Sequence, residues 1–509
     1  MTAGMSNLPA TNGRLLVRNT VLNLFAQIAP LVVAVIAVPV LIRGLGEVRF
    51  GILGLAWALI GYFGLFDFGI SRALTQAASE ALGRGDRERL GRIGPGAIEA
   101  MFALGAVGAL CLAAVTPILV RRVFKIDETL GRETVTAFYL LAASLPFVLS
   151  TLGFRGLFEA HQHFGLSTAL RLPFALFNYV GPLLVLPFTN SLVAIVGILV
   201  AGRLLTWAAH VVFGMREYSW LRLSPFRNAS AVLPLLRIGG WMTVSNIISP
   251  MMVNLDRFLI GALLSMSAVA YYITPFEVVT KLLFVPSAIV AVFFPAFAAT
   301  HVQDRQRTAV ILERASKLIL ITVFPAALLL VAFSREGLMV WVGPDFVRES
   351  TAVLQLLTLG VFINSLGQVP FGLLQALGRP DLTAKLHMIE LPLYAVMIFG
   401  LALEFGLVGV AAAWTLRIVF DTSVLCWLAK ANLVEALPAL RRAVAWFFPL
   451  SLLLALLALI PSLPSRAVAS SLVLLMFSFA AWRAVLEPSE RAVIRNLLRW
   501  TPRSPAKVS

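Results

Sequence analysis

The chain has 509 residues, of which 59% are hydrophobic and only 13% charged, with 41 Lys and Arg against 25 Asp and Glu for a net charge of +16. A water-soluble domain carries roughly 25% charged residues, so this composition excludes an ordinary soluble fold. The basic balance does not point to nucleic acid, because the charges sit in loops beside apolar segments, where they orient a membrane protein.

Residues 1–17 are polar and small and read as a cytoplasmic N-terminus. The first apolar run, 17–42, is longer than the roughly 7–15-residue core of a cleavable signal and reads as a retained helix. Further apolar segments follow, giving fourteen in all: 18–42, 50–71, 97–120, 136–159, 168–188, 190–214, 238–262, 268–298, 316–333, 351–377, 382–403, 406–429, 443–461 and 467–486. A bilayer core about 30 Å thick needs about 20 apolar residues per helical crossing. Backbone groups inside it must bond within their own segment, so the crossings are helices. The predicted fold class is an all-α integral membrane protein with 14 transmembrane helices, arranged as two pseudo-symmetric six-helix lobes plus two C-terminal helices. The expected divisions are an N-lobe over 18–214, a cytoplasmic linker over 215–237, a C-lobe over 238–430, helices thirteen and fourteen within 431–486, and a basic cytoplasmic tail over 487–509.

An even number of crossings puts both termini on one side. Placing them in the cytoplasm assigns 26 Lys and Arg to that side and 9 to the other, including Arg49, Arg132, Arg348 and Arg466. Positive charge is hard to translocate, so the richer side stays inside. No loop exceeds about 25 residues, too short for a separate domain. There is no Walker loop, metal-spaced His/Cys cluster or nucleophile elbow, so no catalytic residue, metal or cofactor is expected. Cys111 and Cys426 lie within apolar segments and read as packing residues. His161 and His163 share a short loop and read as solvated, with no third ligand evident.

The two halves repeat at an offset of about 214–220 residues. GLFEAHQHFGLSTALRLP at 156–173 parallels GLLQALGRPDLTAKLHMIELP at 372–392, with three extra residues. Segments six and twelve each begin near Leu-Val and carry a mid-helix arginine, Arg203 and Arg417. Because six is even, both sets enter the membrane in the same sense, and substrate is expected between the halves. Pro30, Pro146, Pro250, Pro275, Pro325, Pro370 and Pro392 each remove a backbone donor and favour a kink; such kinks are either gates or static curvature.

The stretch LIRGLGEVRFGILGLAWALIGYFGLFDFGISRAL at 41–74 resembles the first helical hairpin of the polysaccharide transporter family, with Leu45-Gly46, Phe50-Gly51 and Asp67-Phe68-Gly69 in the family's order. NLDRFLIGALLSMSAVAYYI at 254–273 is similar to that family's central segment, with Asp256-Arg257 and then an aromatic pair, although Ala270 stands where a glycine is common. The resemblance implies a Wzx-type flippase that moves a polyprenyl-pyrophosphate-linked oligosaccharide across the bacterial inner membrane by alternating access. It implies lipid-linked oligosaccharide and membrane lipid as partners, with a polysaccharide polymerase as a further one. Lipid II flipping and cation-coupled multidrug antiport belong to the same superfamily and stay open as alternatives, as does a non-transporting scaffold. The absence of nucleotide motifs argues against direct use of ATP.

An ionisable side chain within the bilayer costs roughly 2.5–3.5 kcal/mol on insertion scales, so it normally faces a cavity or a partner. Arg203, Arg257, Lys281 and Arg417 are therefore the expected cavity charges, which would offset the cost of drawing a pyrophosphate through apolar surroundings. Asp256, Glu277 and Asp421 are the expected gating or coupling residues. Two i,i+4 spacings predict pairs, Glu277–Lys281 and Arg417–Asp421. Arg257 has a second reading, extended to the headgroups. Arg155–Glu159 reads as a solvated pair, and Arg171 and Glu390 occupy matching repeat positions with opposite sign.

Overall fold

The computed structural model describes residues 30, 32–63, 67, 70–124, 126–161, 163–218, 252 and 254–485. The predicted N-terminus, the start of the first helix, most of the linker at 215–237, the start of the seventh helix and the basic tail lie outside the described residues. Sixteen helices follow one another, and no strand occurs among the described residues. They are α1 (Val32–Leu45), α2 (Glu47–Tyr62), α3 (Ile70–Arg84), α4 (Arg87–Ile118), α5 (Glu128–Ala160), α6 (Phe164–Val185), α7 (Leu192–Glu217) and α8 (254–263). The second half runs α9 (Met266–Thr280), α10 (Phe284–Gln303), α11 (Arg305–Ala332), α12 (Ser334–Trp341), α13 (Pro344–Ala376), α14 (Pro380–Asn432), α15 (Leu437–Ala458) and α16 (Leu463–Ala480).

Ten spans among the described residues are long and apolar enough to cross a membrane. Their outer faces carry bare hydrocarbon: Leu110 is 72% exposed and Leu205 70%. That surface would cost about 25 cal/mol per Å² against water, and lipid removes the cost. Hydroxyls on the spans turn back onto their own helices. Thr116 donates to the Leu112 carbonyl at 2.7 Å, Ser144 to Leu141 at 2.7 Å and Thr358 to Leu354 at 2.6 Å, the expected satisfaction of a polar group that meets no water.

Local chemistry sets the helix ends. Asp86 caps α4 by accepting from the Arg89 amide, and Asp304 caps α11 by accepting from Arg307, both at 2.9 Å. Pro344 and Pro380 open α13 and α14 at positions where a missing amide costs nothing. Asp67 of the Asp-x-Gly motif accepts from the amide and hydroxyl of Ser71 and so fixes the start of α3. That helix falls where the sequence predicts a cytoplasmic loop. Its Ala73, Ala77, Ala78 and Ala81 are buried, and it packs on α4 and α5; small side chains gave this stripe little apolar weight in the sequence.

Contact density divides the chain into Met1–Ile273 and Thr274–Ser509. In the first unit α5 is central, flanked by α3, α4, α6 and α7. Gly51 of the aromatic-Gly pair lets α2 close onto the Met266 carbonyl, where a Cβ would collide with backbone. In the second unit α13 is central, against α10, α11, α14 and α15. Its core joins Phe324, Phe362, Phe447 and Phe477, with ring centroids 4.6 to 5.6 Å apart. Buried Arg466 holds α16 to α11 and α12, donating to the Ala332 carbonyl at 2.9 Å and to Glu336 at 2.6 Å.

Two helices are interrupted within the second unit. A 3₁₀ turn, Lys281–Leu283, separates α9 from α10. Gly406, at φ 59° and ψ −137°, breaks α14 into two arms, where the sequence predicts the turn between helices eleven and twelve.

Candidate functional site

In the first unit a polar stripe on α7 faces similar stripes on α5 and α6. Arg203, Thr206 and His210 recur at spacings of three and four, so they share one face of α7. Thr151 and Arg155 do the same on α5, and Ser167, Arg171 and Phe174 on α6. Together with Ile60 of α2 these side chains line a cavity of about 170 Å³.

Arg203 is 4% exposed. Its Cζ stands 5.7 Å from the Phe63 ring centroid and 5.8 Å from that of Phe174, and Nη1 lies 3.5 Å from the Ser144 hydroxyl. Nε and Nη2 have no partner, and no carboxylate pairs with Arg203 among the described residues. Aromatic faces offset part of the cost of burying a guanidinium, but they leave its donors unused. Arg155 pairs with Glu159 at 2.7 Å. The cavity therefore brings three arginines together with one carboxylate bound to one of them, an arrangement suited to a multivalent oxyanion. Arg155 and Arg171 were not among the expected cavity charges. Their signal in the sequence is the shared polar face at spacings of three and four.

Of the other expected cavity charges, none lines this cavity. Arg257 on α8 is buried, at 5% exposure. Its neighbour Asp256 accepts from the Tyr272 hydroxyl at 2.7 Å and from the Arg257 amide at 2.7 Å. Asp256 thus links the two halves of the central sequence motif, through the Arg257 amide and the Tyr272 hydroxyl.

In the second unit Lys281 and Glu277 form the pair that their spacing predicts, at 3.1 Å, with the Lys281 ammonium 5.8 Å from the Phe284 ring centroid. The Arg417–Asp421 pair is not made. Arg417 stands over the Tyr394 ring at 5.3 Å instead, and Asp421 faces His387, whose Nε2 is 3.8 Å from Oδ1. Helical spacing brought the two residues into reach, but side-chain packing turned them apart. Glu390, 1% exposed, completes this group: single donor atoms of His387, Glu390 and Asp421 all lie within 4.8 Å of one another. His387 and Glu390 come from the first arm of α14 and Asp421 from the second, so the break at Gly406 assembles the cluster.

The loop of His161 and His163 is not free in solvent. His161 stacks on Tyr218 with centroids 4.3 Å apart, and His163 Nδ1 lies 3.4 Å from the Tyr218 hydroxyl and 3.7 Å from Glu217. Burial lowers the His161 pKa below the usual histidine value, partly opposed by its bond to the Leu157 carbonyl. The same burial raises that of Tyr218.

Residues 16–301 match the profile of a family described as polysaccharide biosynthesis protein. A protein of Shigella flexneri named "Putative O-antigen transporter" is 28% identical over 415 residues, covering 81% of this chain and 97% of that one. Among solved structures, an inward-facing multidrug resistance MATE family transporter of the MOP superfamily aligns with a TM-score of 0.66 at 13% identity, over 81% of this chain and 95% of its own. The lipid II flippase MurJ in an inward closed conformation aligns with a TM-score of 0.63 at 12% identity, over 92% of this chain and all of its own. These two likenesses establish the fold.

Proposed function

The chain belongs to the polysaccharide biosynthesis protein family, and we propose that it is a flippase carrying a polyprenyl-pyrophosphate-linked oligosaccharide from the cytoplasmic to the outer leaflet of a bacterial inner membrane. The observation that carries this reading is the buried Arg203, which pairs with no carboxylate among the described residues and faces a cavity shared with Arg155 and Arg171. A pyrophosphate brings several negative charges, and fixed cations offset the cost of withdrawing it from water. Flipping of this kind breaks no covalent bond, so it needs anion-binding groups and a change of access rather than a nucleophile or a general base. The likeness to the Shigella flexneri protein over nearly its whole length supports the glycan class of substrate.

In this reading the six-helix repeats, 18–214 and 238–430, rock against each other in alternating access. Arg257, Lys281 and Arg417 add positive charge along the path, and Asp256, Glu277 and Asp421 gate or couple it. A polysaccharide polymerase receives the product. Lipid II transport uses the same charge logic and is the second reading, favoured by the likeness to MurJ in fold.

The experiment is a leaflet-translocation assay with purified protein in vesicles and a lipid-pyrophosphate-linked glycan. Arg203→Ala is expected to reduce the rate at least tenfold, Arg155→Ala and Arg171→Ala each by a smaller factor, and Arg203→Lys to retain part of it. Full rate in all three alanine variants, at normal protein amount, would exclude the cavity as the anion site. Translocation of lipid II in preference to the oligosaccharide would favour the second reading.

A further inference from the structure

The duplicated segments have diverged in charge. Where the first repeat carries Arg171, facing a basic cavity, the second carries Glu390, facing Asp421 and His387. Glu390 is almost wholly buried, and neither of its carboxylate oxygens accepts from an N–H or hydroxyl donor, nor does Asp421 Oδ1, while the two carboxyl groups lie within hydrogen-bonding reach of each other. The charged groups acting on the three are one another and Arg417. Arg417 is oriented over Tyr394 rather than against either acid. From α13 the cluster receives the Phe371 ring, stacked on His387 at 6.2 Å, and the Cys426 thiol one turn along α14 lies in the field of Asp421.

Two carboxylates and one guanidinium leave one negative charge without compensation. In an apolar interior, two acids this close do not both ionise. A proton balances the cluster, whereas a divalent ion would reverse its sign. An imidazole within 3.8 Å of Asp421 is also a better proton acceptor than a ligand for an alkali cation. We propose that Glu390 and Asp421 share a single exchangeable proton, with His387 as the group that passes it in and out. His387 keeps about a quarter of its side chain exposed, while the two acids are buried, so the imidazole is the route from outside. The step balances as one proton onto the ring, one from the ring to a carboxylate oxygen, and neutral imidazole restored. Its linkage to transport rests on the flippase reading; the proton site itself does not.

The test is infrared spectroscopy of the purified protein in lipid, with no transport readout. At about pH 7 the carbonyl stretch of an un-ionised carboxyl is expected, shifted in heavy water and lost reversibly as the pH is raised. It should be absent from Glu390→Gln and displaced in Asp421→Asn, and its exchange with heavy water should slow at least tenfold in His387→Phe. Sodium at fixed pH should leave it unchanged. Should a variant fail to fold, the titration of the unaltered protein still decides. Absence of the band in the unaltered protein, its removal by sodium, or its persistence in both acid variants would overturn the proposal.

Discussion

A buried charge and a half-buried imidazole read the same interior in opposite ways. Arg203 stays a cation among Phe63 and Phe174 because ring faces and a serine hydroxyl are what the interior offers it. His161, at the end of α5, meets Tyr218 and the Leu157 carbonyl and is held toward its neutral form. Because the folded-state pKa lies below the unfolded value of about 6.5, the unfolded chain takes up the proton first as pH falls. Stability is therefore retained above that value and declines through and below it. Thermal unfolding in detergent should show a larger loss between about pH 7.5 and 5.5 for the unaltered protein than for His161→Asn. Equal losses would mean that this ring does not contribute to the pH dependence.

Among the elements, α14 shows how one residue shapes a site. Nothing lies within 4 Å of a Cβ built at Gly406, so substitution there meets no steric obstacle beyond its own backbone. The dihedral angles are what exclude other residues: φ 59° with ψ −137° belongs essentially to glycine. Gly406→Ala is expected to cost about 1–3 kcal/mol in unfolding free energy. Gly400→Ala, also with open space but within a regular helical arm, should be neutral or stabilising by about 0.5–1 kcal/mol. Chemical denaturation of the two variants side by side checks this. The two arms that Gly406 separates carry His387 and Glu390 on one side and Asp421 on the other, so loss of the break should also disperse the cluster.

For the whole molecule, the distribution of 26 against 9 basic residues makes a topological statement. Single cysteines at Arg87 and Arg348, both exposed, in a background lacking Cys111 and Cys426, are expected to label from opposite sides of the membrane, Arg87 from the cytoplasm. Labelling from one side would break the alternation of crossings. The helical architecture was legible because a bilayer imposes a length and a composition on each crossing. Even the interruption of α14 showed, as a glycine after an acidic turn. The helix α3 was hidden, because alanines bury a surface with little hydropathic weight. Arg203 stood out as a mid-helix cation with no acid at helical spacing. Its companions Arg155 and Arg171 did not, since Arg155 has Glu159 one turn away and Arg171 appeared only as a mismatch between repeats.

Apolar length, repeated order and charge asymmetry are properties of the chain itself, and they determined that this protein is a helical membrane transporter. Which charges meet was decided by packing. Spacing along one helix placed Arg417 beside Asp421, yet the aromatic face of Tyr394 drew the guanidinium away and the second arm delivered Asp421 to His387 and Glu390. The partners of a side chain on a second helix depend on rotation and approach, which no single helix encodes.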